Sequence, residues 1–220
     1  METLNREVLR LNTAVDDAAI RPVAQGYRAT MPAYGKQRVN AFLRNLDSPR
    51  VFANQVLQVR VEDAATTLLR FVFNSTLGLA GFYDIAGSWG MSRSEADLGQ
   101  TLHGWGLGDG PYLVLPLAGP SNARDAAGLL GDLAVNPLNW ILPWEATAGR
   151  IATNGLVLRE RNIESLDELR QGSFDYYARL RSVWQQNRDA ELGRAGPMPA
   201  DTAPADAEPQ LLDDPEAPPP

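Results

Sequence analysis

His103 is the only histidine in the 220 residues, and Asp97 and Asp109 each lie six positions from it. An imidazole beside a carboxylate is the usual general base of a hydrolase. A serine hydrolase also needs its nucleophile on a strained G-x-S-x-G elbow, which the sequence lacks. With one histidine and no cysteine, neither a multi-histidine nor a cysteine-ligated zinc site can form. His103 therefore reads as a structural residue near a loop. Hydrolysis through His103 and Asp97 stays open as an alternative.

A second feature that invites chemistry is Gly104-Trp-Gly-Leu-Gly-Asp-Gly110, closed by Pro111. Alternating glycines suggest a phosphate loop, but the register fails. A dinucleotide fingerprint needs G-x-G-x-x-G, and Asp109 stands where the third glycine should follow Gly104 and Gly106. No β-branched strand precedes the run, and no Gly-Lys-Ser/Thr succeeds it. The run reads as a flexible turn or hairpin loop, where glycine opens backbone angles closed to other residues.

Composition narrows the function classes further. The chain is long enough for one domain with its own core, and its 44% hydrophobic and 21% charged residues are ordinary for a folded protein. The net charge of −7 is concentrated at one end. Residues 195–220 hold six acidic residues and no Lys or Arg, which leaves 20 basic against 21 acidic residues elsewhere. A nearly neutral body has no basic footprint for nucleic acid, nor a strong attraction for anionic lipid. No apolar run approaches the roughly 18 residues of a membrane-spanning helix. No basic segment followed by an apolar one opens the sequence, so no signal peptide is present as written.

The elements that must position these residues read as helices. Leu4, Val8, Leu11 and Val15 share one face of a helix over Leu4 to Ala19. Pro22 and Pro32 should interrupt the next helical stretch. A helix from Gln37 to Leu46 should be followed by another to about Val59, with Ser48 as N-cap and Pro49 in its first turn. Glu62 to Phe73 is helical in period, with Ala65, Leu68, Leu69 and Val72 on one face. Asn74 to Gly90 mixes glycine with Leu77, Phe82, Tyr83 and Trp89. Ser94 is positioned to cap a helix through Leu102, and Ser121 one through about Ala134. Pro111 to Leu117 is extended and apolar. A long helix from Glu145 to Asn162, a capping box at Ser165–Glu168 and a helix from Phe174 to Arg188 complete the pattern. Beyond Leu192, proline and acidic residues dominate, and half of the sixteen prolines fall in the last 26 positions. Residues 193–220 are therefore expected to be a disordered tail on a domain of residues 1–192.

Five tryptophans, Trp89, Trp105, Trp140, Trp144 and Trp184, stand out. Burial in a core explains them, and so does a membrane–water interface, where an indole buries its ring and hydrates its N–H. These readings alone reach an α-rich domain with an unusual glycine-apolar middle.

Several blocks carry a resemblance beyond that. The first runs through Asn5-Arg6, Leu11-Asn12, Asp16, Arg21-Pro-Val-Ala24 and Tyr27. Next come Asn45-Leu46, Pro49, Asn54 and Leu57-Gln58, then Arg70-Phe71, Asn74-Ser-Thr-Leu-Gly78, Gly81-Phe82 and Asp84. The most specific block is Gly99-Gln-Thr-Leu, Gly104-Trp-Gly-Leu-Gly and Gly110-Pro-Tyr-Leu-Val-Leu-Pro116. Gly119-Pro-Ser, Arg124-Asp125 and Tyr176 to Arg179 complete it. In order and spacing, over about Leu4 to Asp189, the chain resembles the VacJ/MlaA lipoprotein family.

The resemblance implies an all-α ring of short amphipathic helices in the inner leaflet of a Gram-negative outer membrane, around a central amphipathic channel. It implies non-enzymatic transport of mislocalised phospholipid, with no cofactor. The expected partners are phospholipid, a trimeric outer-membrane porin and a soluble periplasmic lipid carrier. The alternatives are a passive porin-binding envelope scaffold and a lipid hydrolase using His103 and Asp97. The family's signal peptide and lipidated cysteine are expected in a precursor, since this sequence shows neither. Phe42, Asn45, Phe71, Asn74, Leu77, Phe82 and Trp89 are the expected channel or lipid contacts. Gly104, Gly106, Gly108 and Gly110 are the expected hairpin gate.

Overall fold

The computed structural model of the protein describes residues 1–194, and the expected tail beyond residue 194 lies outside the described residues. Helix α1 spans Glu2–Val15 and α2 Arg21–Thr30. Pro22 does not interrupt the helix as its sequence predicts. A π-helical turn, Asp16–Ile20, joins α1 to α2 and absorbs the proline within the first turn of α2. Pro32 does end α2, with Met31 extended before it.

One helix, α3, runs from Ala33 to Leu57 through Pro49, where the sequence predicts two. Ser48 is not a cap. It is buried, and its hydroxyl donates to the Arg44 carbonyl one turn back at 3.1 Å. Burial of Leu43, Asn45, Ser48 and Val51 along α3 outweighs the local preference of Ser-Pro to begin a new helix.

Helix α4 (Val61–Thr76) packs along α3, and an irregular turn leads to the short α5 (Ile85–Ser88). Helix α6 (Leu98–Gly104) is capped by Asp97, whose carboxylate accepts from Gln100 N at 2.7 Å. An antiparallel hairpin comes next, β1 (Tyr112–Leu115) with β2 (Gly119–Asn122), pairing Tyr112 with Asn122 and Leu115 with Gly119. Asn122 caps α7 (Ala123–Val135), accepting from Asp125 N at 2.7 Å. Asp97 and Asn122 thus take the roles predicted for Ser94 and Ser121. Both are extended residues placed directly before their helices, whereas Ser121 is buried in β2.

Helices α8 (Leu138–Ile141), α9 (Trp144–Arg161), α10 (Ile163–Gln171) and α11 (Tyr176–Glu191) finish the described chain. Ser165 lies inside α10, so the predicted capping box is unused. No helix among the described residues is long and apolar enough to cross a membrane. The secondary structure of the described residues is helical apart from one short hairpin, as the sequence predicts of the chain.

The burial pattern is inverted relative to a water-soluble bundle. On α1 the buried side is Asn5 and Leu9, while Leu4 and Leu11, part of the predicted inner face, are exposed. On α4 the buried residues are Ala64, Thr67, Arg70 and Asn74, and Leu68, Leu69 and Val72 are nearly half exposed. Trp89, Trp105, Trp140 and Trp144 are exposed, so core packing accounts for Trp184 alone. The apolar core is small: Leu9 of α1, Tyr112 and Val114 of β1, and Tyr177 and Leu180 of α11. Helices of this kind are held together by polar contacts and turn their apolar faces outward, the arrangement an apolar solvent favours.

Candidate functional site

Helices α3, α7, α9 and α11, the hairpin and the segment from Arg93 to Asp97 enclose a central cavity of about 940 Å³. Its lining has two characters. Leu43 of α3, Leu115 and Leu117 of the hairpin, Leu129 and Leu133 of α7 and Leu158 of α9 supply the apolar part. Asp47, Arg50, Asp97, Asp125, Asp132 and Arg188 supply the charged part.

Local sequence explains how each wall is made. On α7 the spacing Asp125, Leu129, Asp132, Leu133, Asn136 puts acids and leucines on a single face, so this helix alone presents both chemistries to the cavity. The hairpin turns at Pro116–Ala118. Leu117 has φ +61°, and its exposed side chain is held at the cavity. The other edge of β1 is closed by α1. Asn5 Nδ2 donates to Tyr112 O at 2.9 Å, and Val114 N donates to Asn5 Oδ1 at 3.0 Å. Asn12, two turns on, repeats the contact with Leu115 O and Leu117 N at 2.9 and 2.8 Å. Two asparagine amides stand in for a third strand and fix where the hairpin reaches.

Within the charged wall, which Arg44, Arg93, Glu95, Arg150, Arg161 and Glu191 also line, two ion-paired knots stand out. Arg50 bonds Asp47 at 2.7 Å and Asp132 at 3.0 Å, and Asp132 also accepts from Asn54 Nδ2 at 2.7 Å and Leu98 N at 3.2 Å. Arg188 bonds both oxygens of Asp97, at 2.8 and 2.9 Å, and Asp125 at 2.8 and 3.0 Å. Burial alone would raise the Asp97 carboxyl, but the bonds from Arg188 and from Gln100 N hold it below the usual carboxylate range. Burial raises Asp132, against the pull of Arg50. Asp97, the acid that a hydrolase centred on His103 would need, is thus engaged by Arg188.

The residues singled out in the sequence lie elsewhere. Phe42 stacks on Phe82 with ring centroids 4.6 Å apart. Asn45 is buried and donates to Ser75 Oγ at 2.9 Å. Asn74 is buried too, bonding Asp84 at 2.9 Å and accepting from Ala86 N at 3.0 Å. These four meet around the turn after α4. Trp89 packs edge-on to Phe73 at 5.1 Å, Leu77 is exposed and Phe71 is half-buried. None of the seven is among the residues that line the central cavity.

The glycine run also needs correction, because it is not the hairpin. Gly104 ends α6, Gly106 turns the chain with φ +91°, and Gly106 N donates to His103 O at 2.9 Å as a helix-terminal bond. Gly110 has φ +67° and precedes β1. The reverse turn that lines the cavity is Pro116–Ala118, and glycines 104, 106, 108 and 110 do not line it. Sequence reading missed Leu129, Leu133, Asp132 and Arg188. The signal for the first three was the mixing of acids and leucines on one face of α7, which looks like poor amphipathicity, whereas Arg188 on α11 carried none.

Known proteins resemble this chain in sequence and in fold. A lipoprotein of Escherichia coli strain K12, the intermembrane phospholipid transport system lipoprotein MlaA, is 33% identical over 193 residues, covering 86% of this chain and 76% of its own. The Shigella flexneri protein of the same name matches to the same extent. An uncharacterised protein of Rickettsia bellii is 35% identical over 192 residues, covering 87% of this chain and 75% of its own. A solved structure from work on the structural basis for maintenance of bacterial outer membrane lipid asymmetry superimposes with a TM-score of 0.76 at 29% identity. It covers 87% of this chain and 97% of its own. The MlaA lipoprotein family profile matches residues 1–191, and the chain belongs to that family, outer-membrane components of a phospholipid transport system.

Proposed function

We propose that the central cavity is the passage through which phospholipid leaves the outer leaflet of the outer membrane, unaltered covalently, to be handed to a soluble periplasmic carrier. The observation that carries this reading is the two-faced lining, leucines from the hairpin, α7 and α9 beside the Arg50 and Arg188 knots. A phospholipid needs both. Each methylene exposed to water costs about 0.8 kcal/mol, so an unshielded acyl chain meets a barrier of more than about 10 kcal/mol. A leucine-lined wall lowers that barrier, and the polar wall keeps the headgroup solvated. The outward apolar faces of α1 and α4 and the exposed tryptophans fit a chain seated in one leaflet. A trimeric porin beside it is the proposed support, and residues 1–192 are the proposed working unit.

The test is to narrow the passage. In a Gram-negative strain lacking its own MlaA, Leu129→Trp with Leu133→Trp should leave protein abundance unchanged. Surface phosphatidylethanolamine, labelled on intact cells with an impermeant amine reagent, should stay as high as without the protein. Restoration equal to wild type would refute the passage and favour a scaffold. Fluorescent phospholipid recovered whole after incubation with the purified protein is the expected result, and released fatty acid would turn the reading to hydrolysis.

A further inference from the structure

A second cavity, of about 670 Å³, lies between α2, α3, α5 and α9. Its lining includes four cations, Lys36, Arg38, Arg44 and Arg161, and two carboxylates, Asp84 and Glu160. Both carboxylates are already engaged. Glu160 accepts from Arg28 and from Lys36, each at 3.0 Å, and Asp84 accepts from Arg70 at 2.9 and 3.0 Å. Arg38, Arg44 and Arg161 have no carboxylate partner among the described residues. Three guanidinium groups therefore line one cavity with no ion-pair partner of their own among the described residues.

Several details argue that they converge on a ligand rather than on bulk water. The Arg38 guanidinium is held in place between Tyr34 and Tyr83, 4.7 and 4.6 Å from the ring centroids, and donates to Phe82 O at 3.3 Å. Burial and the like charges of Arg93 and Arg161 lower the hold of Arg44 on its proton. A bound anion would reverse that effect. Arg44 and Arg161, with Asn40 and Val157, also line the central cavity, so the two spaces share this wall.

We infer that Arg38, Arg44 and Arg161 form a phosphate site in the side cavity, and that its ligand is the phosphodiester headgroup of a phospholipid at the junction with the central cavity. Guanidinium suits this ligand, since its planar fork matches phosphate oxygens two at a time. A headgroup held between Arg44 and Arg161 leaves its acyl chains free to lie against the leucines of the central cavity. The identity of the ligand rests on the passage reading, whereas the anion site rests on the cations alone.

The test uses the purified full chain in neutral detergent, titrated calorimetrically with dihexanoylphosphatidylglycerol and, separately, with inorganic phosphate. Arg44→Gln with Arg161→Gln should weaken binding by at least about tenfold, the loss of two charge-assisted contacts. Both residues are exposed, so the melting temperature should hold. Arg44→Lys with Arg161→Lys should retain part of the affinity. Tighter binding of the lipid than of inorganic phosphate supports the headgroup assignment, and equal affinities would reassign the site to free phosphate. Unchanged affinity for both ligands in the glutamine variant would overturn the site. The Leu129→Trp, Leu133→Trp protein separates the two readings. If it restores asymmetry in cells while arginine-dependent binding persists, the passage falls and the site stands. If it blocks transport while the glutamine variant binds normally, the site falls and the passage stands.

Discussion

Arg188 Nη1 and Nη2 lie 2.8 and 2.9 Å from the two carboxylate oxygens of Asp97, joining α11 to the cap of α6 across 91 residues of sequence. The same guanidinium grips Asp125 of α7, so one side chain ties three helices at the wall of the central cavity. Arg188 and Asp125 are each about one-tenth exposed, and a pair so placed is destabilising to break. Asp125 would keep Arg124, whereas Asp97 would lose the cation that bonds both its oxygens. Arg188→Met should cost about 3 kcal/mol. That corresponds to a fall of roughly 6 to 12 °C in melting temperature, read by circular dichroism in detergent. Arg188→Lys should fall between, since an ammonium cannot span both oxygens of Asp97 as the fork does. A Met variant that melts with wild type would show that α11 is not anchored here.

Asn5 makes a different kind of joint. Its amide is buried and satisfies one carbonyl and one N–H on the free edge of β1. Asn5→Ala leaves both backbone groups unbonded, at about 1 to 3 kcal/mol each before relaxation. A loss of about 2 to 4 kcal/mol in stability is expected. Amide exchange at Val114 should accelerate in the same variant. Asn5→Asp should be at least as damaging, because a carboxylate cannot donate to Tyr112 O. Protection at Val114 that survives both substitutions would mean that β2 alone holds the strand.

What could be read from the sequence divides along these two kinds of contact. Helices α9 and α11 and the extended stretch after Pro111 are legible, because period and proline placement are local. The direction in which the helices face is not. Leu68, Leu69 and Val72 are spaced as a core stripe, and that spacing is the same whether the stripe meets a core or a membrane. The buried side of α4, Thr67, Arg70 and Asn74, finds its partners only in three dimensions, as Arg70 and Asn74 do at Asp84. The cavity is hidden for the same reason. Aromatic and glycine residues stand out in a sequence, whereas Asp132 and Arg188 acquire meaning only once α3, α6, α7 and α11 are brought together.

Glycines offer a clean internal contrast. A Cβ at Gly128 would sit 2.6 Å from Gly99 N and 2.9 Å from Gly99 Cα, so α6 and α7 touch there backbone to backbone. Gly128→Ala must push these helices apart and should cost about 1 to 3 kcal/mol. At Gly108 a Cβ meets nothing within 4 Å, and the backbone is not left-handed. Gly108→Ala should change stability by less than about 0.5 kcal/mol. Gly106 is open as well but has φ +91°, so Gly106→Ala should cost about 1 kcal/mol through backbone strain alone. Urea unfolding in detergent can rank the three. If Gly108→Ala proved the most disruptive, the run would have a role that this geometry does not assign. Gly108 is also the better position for testing a gate. Proline at Gly106 would both violate φ and remove the N–H that bonds His103 O.

At the junction of α8 and α9, Trp140, Ile141 and Trp144 are 77%, 76% and 75% exposed, a degree at which large apolar side chains form a patch rather than a rim. Trp140 is nonetheless oriented, because its Nε1 donates to Ala134 O at 2.8 Å. In a leaflet, each of these side chains would contribute about 1.5 to 3 kcal/mol by leaving water. Trp140→Ala with Trp144→Ala should therefore weaken partition into phosphatidylethanolamine–phosphatidylglycerol vesicles by about a hundredfold or more. Brominated acyl chains should quench the fluorescence of Trp140 and Trp144 in single-tryptophan proteins. Trp184, which packs 5.6 Å from Tyr112 and also lines the central cavity, should be quenched only by lipid inside the passage. Unchanged partition in the double variant would move the membrane contact to another exposed face, and α4, with Leu68, Leu69 and Val72, is the next one to test.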